Sequence, residues 1–482
     1  MADAPTLSRF RAPDTTLILA GIIVFAAVLT WIVPPGEYAR AEIEVEGVGT
    51  REVVVPGSYG RMERGDEGVV SRLLHSAAMV LQAPIRGFVD EDAAPIIAFV
   101  LLVGGAFAVL TETGAVDAAL RRVVSAAERS PTLDVLLIPL FIAIFSLGGA
   151  VFGMSEETIP FVLIFVPLAL ALGYDSLTGA AIPFLGSAAG FASAFFNPFT
   201  VGVAQGISGV ALFSGAGFRV VLWVIVTAVV AGFVMWHARR VRRDPARSPV
   251  HAIDAAQKGE GLVEVESGFT ATHGAVLLAF AAGIGVLVAG VLLAQWYIVE
   301  IAALFVGLGV VMGAVGGLGG NGTARAFMMG VRDLAPTAVI IGLARGILIV
   351  LEDGHVVDTI LDALASGLGG AGATLAACAM FGIQTAINFF VPSGSGQAAL
   401  TMPLMAPLAD LVGVSRQTAV LAFQMGDGFT NMIIPTSAVL MGVLSLAKVP
   451  WPTWAKWVLP LQLLLVTVGL VALVIAVGIG YA

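Results

Sequence analysis

Residues 148–160 read GGAVFGMSEETIP and set Glu156 beside Glu157 inside a long apolar tract. A carboxylate near the centre of a bilayer costs about 2.5–3.5 kcal/mol on insertion scales, and two like charges also repel. Such a pair survives where water, a cation or a proton offsets the cost. The question is what this stretch belongs to.

Its surroundings are those of a membrane protein. The 482 residues are 58% hydrophobic and 12% charged, against about 25% charged in a soluble domain. Mean hydropathy is +0.97. Apolar runs of about 20 residues recur along the chain, with charges confined to the gaps, as expected of an all-α integral membrane protein. The short alternating segments of a membrane β-barrel are absent. The 58 glycines suit close helix packing. The net charge of −9 and the short basic clusters give no nucleic-acid groove. A lone Cys378 excludes an intrachain disulfide and a cysteine-based metal cluster. The first apolar run ends in PPG rather than at a small-residue cleavage site, and is expected to be a retained helix.

The expected order begins with an N-terminal segment 1–15 and a first span 16–34. Residues 35–92 hold a small β-ribbon, from the alternation in EIEVEGVGTREVVVPG, and an amphipathic surface helix over 69–88. A first repeat covers 93–238, with spans at 93–112, 176–196 and 217–238 and a broken tract at 134–172. A charged linker, 239–270, opens with RRVRRDPAR. Spans at 274–294 and 299–316 lie within a scaffold segment, 271–330. The second repeat, 331–482, has spans at 335–351, 416–440 and 456–480 and a broken tract at 371–412. Placing Arg9, Arg11, Arg121, Arg122, Arg129, the 239–247 cluster, Arg325, Arg332, Lys448 and Lys456 in the cytoplasm puts the N-terminus inside. The β-ribbon and the C-terminus are then outside, in a bacterial inner membrane.

The halves match at a shift of 240 residues: Glu112 on Glu352, Gly114 on Gly354, Ser155 on Ser395, Glu157 on Gln397, Pro167 on Pro407, Gly173 on Gly413, Thr178 on Thr418, Gly186 on Gly426. The order of elements matches as well. Span 93–112 runs inward and its counterpart 335–351 outward, so the repeats are inverted. Inverted repeats with interrupted segments at matching positions point to a secondary transporter.

Each broken tract reads as a re-entrant helical hairpin with its tip near the midplane. The second limbs, 159–172 and 398–412, are shorter than the ~20 residues that cross. The tips, FGMSEET and VPSGSGQAA, are rich in small and hydroxyl residues. Free carbonyls and N–H groups at such tips can hold a cation or a carboxylate. The following spans carry breaks as well, GFASAFFNPFTVG with Asn197–Pro198 and MGDGFTNMIIPTSA with Asp427, Asn431 and Pro435.

GMSEETIPF, FFVPSGSGQAALTMPLMAPL and FQMGDGFTNMIIPTSA resemble the C4-dicarboxylate anaerobic carrier-like family, and within it the YfcC-type branch described as basic amino acid or arginine/ornithine antiporters. The likeness covers nearly the whole chain, including VVPGSYGR in the ribbon. Through the wider ion transporter superfamily it implies a homodimer, a scaffold and a transport domain moving as an elevator. In place of the superfamily's Ser-Asn-Thr tip signature stand PSGSGQ and GMSEET, so sodium and proton coupling both stay open.

The candidate substrate residues are Ser155, Glu156, Glu157, Thr158, Asn197, Arg345, Asn388, Ser393, Ser395, Gln397, Asp427 and Asn431. Adjacent residues on a helix point about 100° apart, so one glutamate is expected to face the site. Glu157 is favoured because it aligns with Gln397, with Glu156 capping a helix start; a solvated loop is the plain alternative. Asp427 is expected to take a cation or amino group. Arg345 either takes a substrate carboxylate or pairs with Asp427 or Glu157. Asn388, Ser393, Ser395 and Gln397 offer neutral ligands, or ordinary interhelical hydrogen bonds. Candidate Na⁺ ligands are Ser155, Asn197, Ser395, Asn431 and Thr436. His237, His251 and His273 are expected at the interface rather than on a metal.

The expectation is therefore a secondary-active transporter of an amino acid, with a basic side chain favoured by the excess of acids over arginine. No cofactor, covalent chemistry or nucleic-acid partner is implied beyond substrate, lipid and a coupling ion. A C4-dicarboxylate or other organic-anion carrier is the alternative. An ion channel needs no inverted repeat, and an intramembrane protease needs a Ser–His, paired-Asp or His-Glu-x-x-His set that the spans lack.

Overall fold

A computed structural model describes residues 15–45, 49–63, 68–91, 93–258, 269–294, 296–366 and 372–482. The N-terminal segment with Arg9 and Arg11, the ribbon turn at 46–48 and linker residues 259–268 lie outside the described residues. Seven helices among the described residues are long and apolar enough to cross a membrane, with four shorter apolar helices beside them.

The first apolar run forms α1, Thr15–Ile32. The alternating stretch forms strands: β1 (Gly36–Glu37) pairs with β4 (Gly60–Arg61), and β2 (Arg40–Val45) pairs antiparallel with β3 (Gly49–Val54). The amphipathic helix α2 spans Val69–Val89 and lies against the long helix Gly319–Asp353. There Gly87 lacks the Cβ that would sit 2.1 Å from the Gly342 carbonyl oxygen, which brings the two backbones into contact. Helix α3 is Ala93–Glu112, and α4, Ala115–Arg129, is amphipathic.

Next come the interrupted elements. Helix α5 (Pro131–Phe152) and α6 (Thr158–Ala171) flank an unwound tip. Helix α7 (Ser176–Ala192) stops before Asn197, a five-residue π-type turn follows over Pro198–Gly202, and α8 (Val203–Ile207) completes the broken element. Helix α5 crosses α7 at glycine: a Cβ on Gly190 would lie 1.7 Å from the Ser146 carbonyl oxygen, and one on Gly149 2.1 Å from that of Ser187. Helix α9, Ala216–Arg243, extends through the first basic residues of the linker, and α10, His251–Lys258, follows.

Helices α11 (Ala271–Ala294) and α12 (Ile298–Val315) precede α13, Gly319–Asp353. Here the expected boundary at 330/331 is corrected, because α13 is one helix of 35 residues running through it. The polar stretch with Arg325, Arg332 and Asp333 reads as a gap by hydropathy, yet its charges are exposed at one end of a continuous helix. After α14 (Val357–Ser366), α15 (Ala373–Phe390) and α16 (Gly394–Leu411) enclose the second tip. The limb expected from 398 starts at Gly394 and has 18 residues, against 14 in α6. Helix α17 (Arg416–Thr430) breaks, α18 (Ala438–Leu446) resumes, and α19 (Trp451–Gly478) closes the chain's order.

The 240-residue register is visible in backbone detail. Gly173 and Gly413 both turn the chain in the left-handed region, at φ 82° and 73°, which a side chain would resist. Asp175 and Ser415 then cap α7 and α17 by accepting the N–H of Thr178 and Thr418 at 2.9 and 3.1 Å. Asn197 and Ser437 in turn cap the resumption of each broken helix. One group of helices, α1, α2, α3 and α12, gathers on α13; another couples α5 to α7, α15 to α17, and α17 to α7.

Candidate functional site

Each tip is built by local polar contacts. At the first, Gly153 has φ 75° and no room for a Cβ beside the Asn197 amide. The Ser155 carbonyl accepts from the Thr158 N–H at 3.1 Å and the Thr158 hydroxyl at 2.6 Å. The Glu157 carboxylate accepts the Ser155 N–H at 2.9 Å, and the Ser187 hydroxyl donates to the Met154 carbonyl. The broken segment of α7 reaches the same place, as the N–H groups of Phe195 and Phe196 donate to the Ala150 carbonyl, freed at the end of α5.

At the second tip, Ser393 caps α16 by accepting the Gly396 N–H. Gly394 fits between Thr200 and Asp427: an added Cβ would lie 2.5 Å from Thr200 Cγ2 and 3.2 Å from Asp427 Oδ2. Asn388 donates to the Asp427 carbonyl at 3.1 Å and to Asn431 Oδ1 at 3.0 Å, and Asn431 donates to Asp427 Oδ1 at 3.0 Å. Asp427 Oδ2, Asn388 Oδ1, Thr200 Oγ1 and Thr436 Oγ1 are buried and have no hydrogen-bond partner among the described residues. Buried polar atoms are rarely left so.

Between the tips lies a cavity of about 330 Å³. Gly153, Ser155, Glu156 and Thr158 line it from the first tip, and Pro392–Ser395 from the second. Thr200, Asn431 and Thr436 come from the two breaks, and Arg345 from α13. Thus Ser155, Glu156, Thr158, Arg345, Ser393, Ser395, Asn431 and Thr436 of the expected residues share one cavity. Phe199 and Tyr297, whose rings are 5.1 Å apart, form an aromatic part of the wall.

Other expected residues are placed behind the wall. Glu157 does not line the cavity; its carboxylate ties the tip turn, and Glu156 is the one of the two that faces inward, reversing the roles expected for them. The pairing expected for Arg345 is also corrected: its Nε lies 2.7 Å from Asp90 Oδ1, and no ion pair joins it to Asp427 or Glu157 among the described residues. Gln397 is fully buried and donates to the Gln384 carbonyl and side-chain oxygens at 2.9 and 2.7 Å, so its amide nitrogen is occupied between helices, while its Oε1 has no hydrogen-bond partner among the described residues. Asn388, Asn197 and Asp427 are likewise buried outside the lining. Asn197 Oδ1 accepts the Phe199 N–H at 2.9 Å. Of the histidines, His237 is buried at 2.8 Å from Asp175 Oδ2.

Glu91, Thr200, Ser187 and Ser437 also line the cavity and were not expected there. Thr200 follows the Asn–Pro break by two residues, and Glu91 belongs to the acidic run Asp90–Asp92 at the head of a span; both positions could have flagged them.

The family model described as C4-dicarboxylate anaerobic carrier, DcuC, matches residues 12–478. An Escherichia coli (strain K12) protein named "Putative basic amino acid antiporter YfcC" is 38% identical over 472 residues, 93% of each chain. An uncharacterized protein of Haemophilus influenzae is 27% identical over 98% of each chain. Among solved structures, the YdaH transporter of Alcanivorax borkumensis matches with a TM-score of 0.44 and 15% identity, over 97% of this chain and 99% of that one. The MtrF efflux pump of Neisseria gonorrhoeae matches at 0.41 and 16%, over 97% and 95%. These structural scores are too low to bear on the site. The family match and the 38% relative decide the class: a multi-pass membrane transporter and not an enzyme. The chain belongs to the C4-dicarboxylate anaerobic carrier family, DcuC, as a secondary transporter of the YfcC type.

Proposed function

We propose that the protein carries an amino acid with a basic side chain, by alternating access. The charge pattern of the cavity carries this reading. Glu91 and Glu156 line it, and its one basic lining residue among those described, Arg345, is already engaged by Asp90. A basic amino acid brings two cations and one carboxylate, which complements two acids and one arginine. A dicarboxylate would need the opposite balance. The name of the E. coli relative agrees with the first substrate class and the family description with the second.

The tips and breaks pack with one another while α1–α3 and α12 pack on α13, which supports rigid elevator movement of the hairpin-bearing body, α5–α8 with α15–α18, against a dimeric scaffold built from the other spans. The membrane would be the bacterial cytoplasmic one, with the linker inside. Coupling would use the unpartnered buried oxygens around the second tip. Asp427 Oδ2, Asn388 Oδ1 and Thr200 Oγ1 suit a proton or Na⁺ better than Asn197 and Asn431, whose side-chain oxygens already accept hydrogen bonds.

Proteoliposomes test the reading. Vesicles loaded with arginine should exchange it for external arginine, ornithine or lysine. Movement of succinate with no uptake or exchange of a basic amino acid would overturn the proposal in favour of the organic-anion alternative. Imposing Na⁺ and pH gradients in turn assigns the coupling ion.

A further inference from the structure

The acid that holds Arg345 is placed where a substrate carboxylate would go. Asp90 ends α2 and opens α3: its Oδ1 accepts the Ala93 N–H at 3.2 Å, and its carbonyl accepts that of Ala94 at 2.8 Å. The same Oδ1 lies 2.7 Å from Arg345 Nε. The Asp90 carboxylate therefore draws on two attractors for negative charge, a guanidinium and a helix N-terminus. Both are also presented to the cavity, because Ala93 and Arg345 line it. The pair is neither sealed nor solvated, at 18% and 20% side-chain exposure.

The backbone leading to Asp90 is fixed. Gly87 lies against Gly342 and Gly346 of the helix that bears Arg345, with a missing Cβ that would sit 2.7 Å from the Gly346 nitrogen. Arg86 pairs with Asp353 farther along the same helix. The freedom left at this junction is rotation of the Asp90 side chain. With Asp90 on Arg345, the described lining offers acids for the cationic groups of a substrate and, apart from that paired arginine, no cation for its carboxylate among the described residues.

We propose that Asp90 is an internal stand-in for the substrate's α-carboxylate: the two compete for Arg345 and the N-terminus of α3, and substrate binding turns Asp90 away. The proposal rests on the basic-amino-acid reading above. It makes Asp90 a specificity-setting residue, because a ligand with cations and no carboxylate cannot displace it and gains nothing from its removal.

The test compares L-arginine with agmatine, its decarboxylated form, by calorimetry on the purified full-length protein. If the Arg345-free form is a ~10% minority, D90N should tighten arginine binding by about tenfold. Agmatine should change by less than about twofold. Asparagine and serine both keep an acceptor for the Ala93 N–H, so D90S serves if D90N is poorly folded. The double variant D90N/D92N should bind arginine at least as tightly as D90N, which covers replacement by Asp92, two residues on. R345Q should make arginine bind no better than agmatine. Unchanged or weaker arginine binding in D90N, D90S and D90N/D92N, with the wild type binding arginine, would overturn the role of Asp90 alone. Wild-type protein that binds neither ligand would overturn the substrate reading and this proposal with it.

Discussion

Glu156 and Glu157 show how a single turn divides labour between like residues. The Glu157 carboxylate is spent on an N–H two residues back, so the turn holds its shape and only Glu156 is presented to the cavity. Alignment with Gln397 pointed to the other glutamate, because register reports position along the chain and not a short-range hydrogen bond. Gln397 itself is taken up by Gln384. The residue types at the site were legible in the sequence; their directions were not. A charge-assisted hydrogen bond is worth about 1.5–3 kcal/mol, so E156Q should weaken a basic amino acid by about tenfold or more. E157Q should alter affinity by less than about threefold and act mainly on thermal stability. Equal losses of affinity in both would contradict the assignment of Glu156 as the facing acid.

Among the elements, α7 owes its start to a buried polar cluster. Asp175 accepts from the Thr178 N–H and hydroxyl, from the Ser248 hydroxyl at 2.7 Å, and lies 2.8 Å from His237. Burial raises the Asp175 pKa, but the His237 contact and the hydroxyl hydrogen bonds outweigh it and leave the pKa below the usual carboxylate value. A depressed carboxylate stabilises the fold above its unfolded pKa of about 3.9, and that contribution fades as pH falls through the lower folded value. D175N should cost about 3 kcal/mol near neutral pH, because it leaves the groups around it poorly matched. The gap in melting temperature between wild type and D175N should narrow as the buffer is taken below pH ~4. A constant gap would mean that the Asp175 charge does not contribute.

The cap itself was half visible beforehand, since Thr178 aligns with Thr418. Its buried partner on α9 was not, because no local pattern links residues 62 positions apart. Helix α13 failed to show for a different reason. Hydropathy reads charged residues as a gap, whereas a helix whose end leaves the apolar layer carries charges on an exposed surface without breaking.

For the molecule as a whole, the repeat made the architecture legible. A shift of 240 residues aligns the left-handed glycines, the caps and the helix breaks, so the positions of both helix interruptions are legible in the sequence. The contribution of α2 and the α2–α3 junction was missed because that segment precedes the first repeat and has no partner to align with. Inversion across the membrane is what would let one sequence pattern serve two faces.

The buried cluster at α7 also bears on where this polypeptide could be cut. Ser248 and Asp254 return from the linker to Asp175 and to the Ser176 N–H, so the hydrogen-bond partners of Asp175 among the described residues are all present by residue 254. The gene could then be divided after Lys258 and the fragments co-expressed, with the N-terminal piece keeping its own closure. A division after Arg243 would leave Ser248 and Asp254 on the other fragment. Co-purification of a tagged N-terminal fragment with its complement should survive the first cut and fall several-fold with the second. Equal recovery would show that the linker's return is dispensable for assembly.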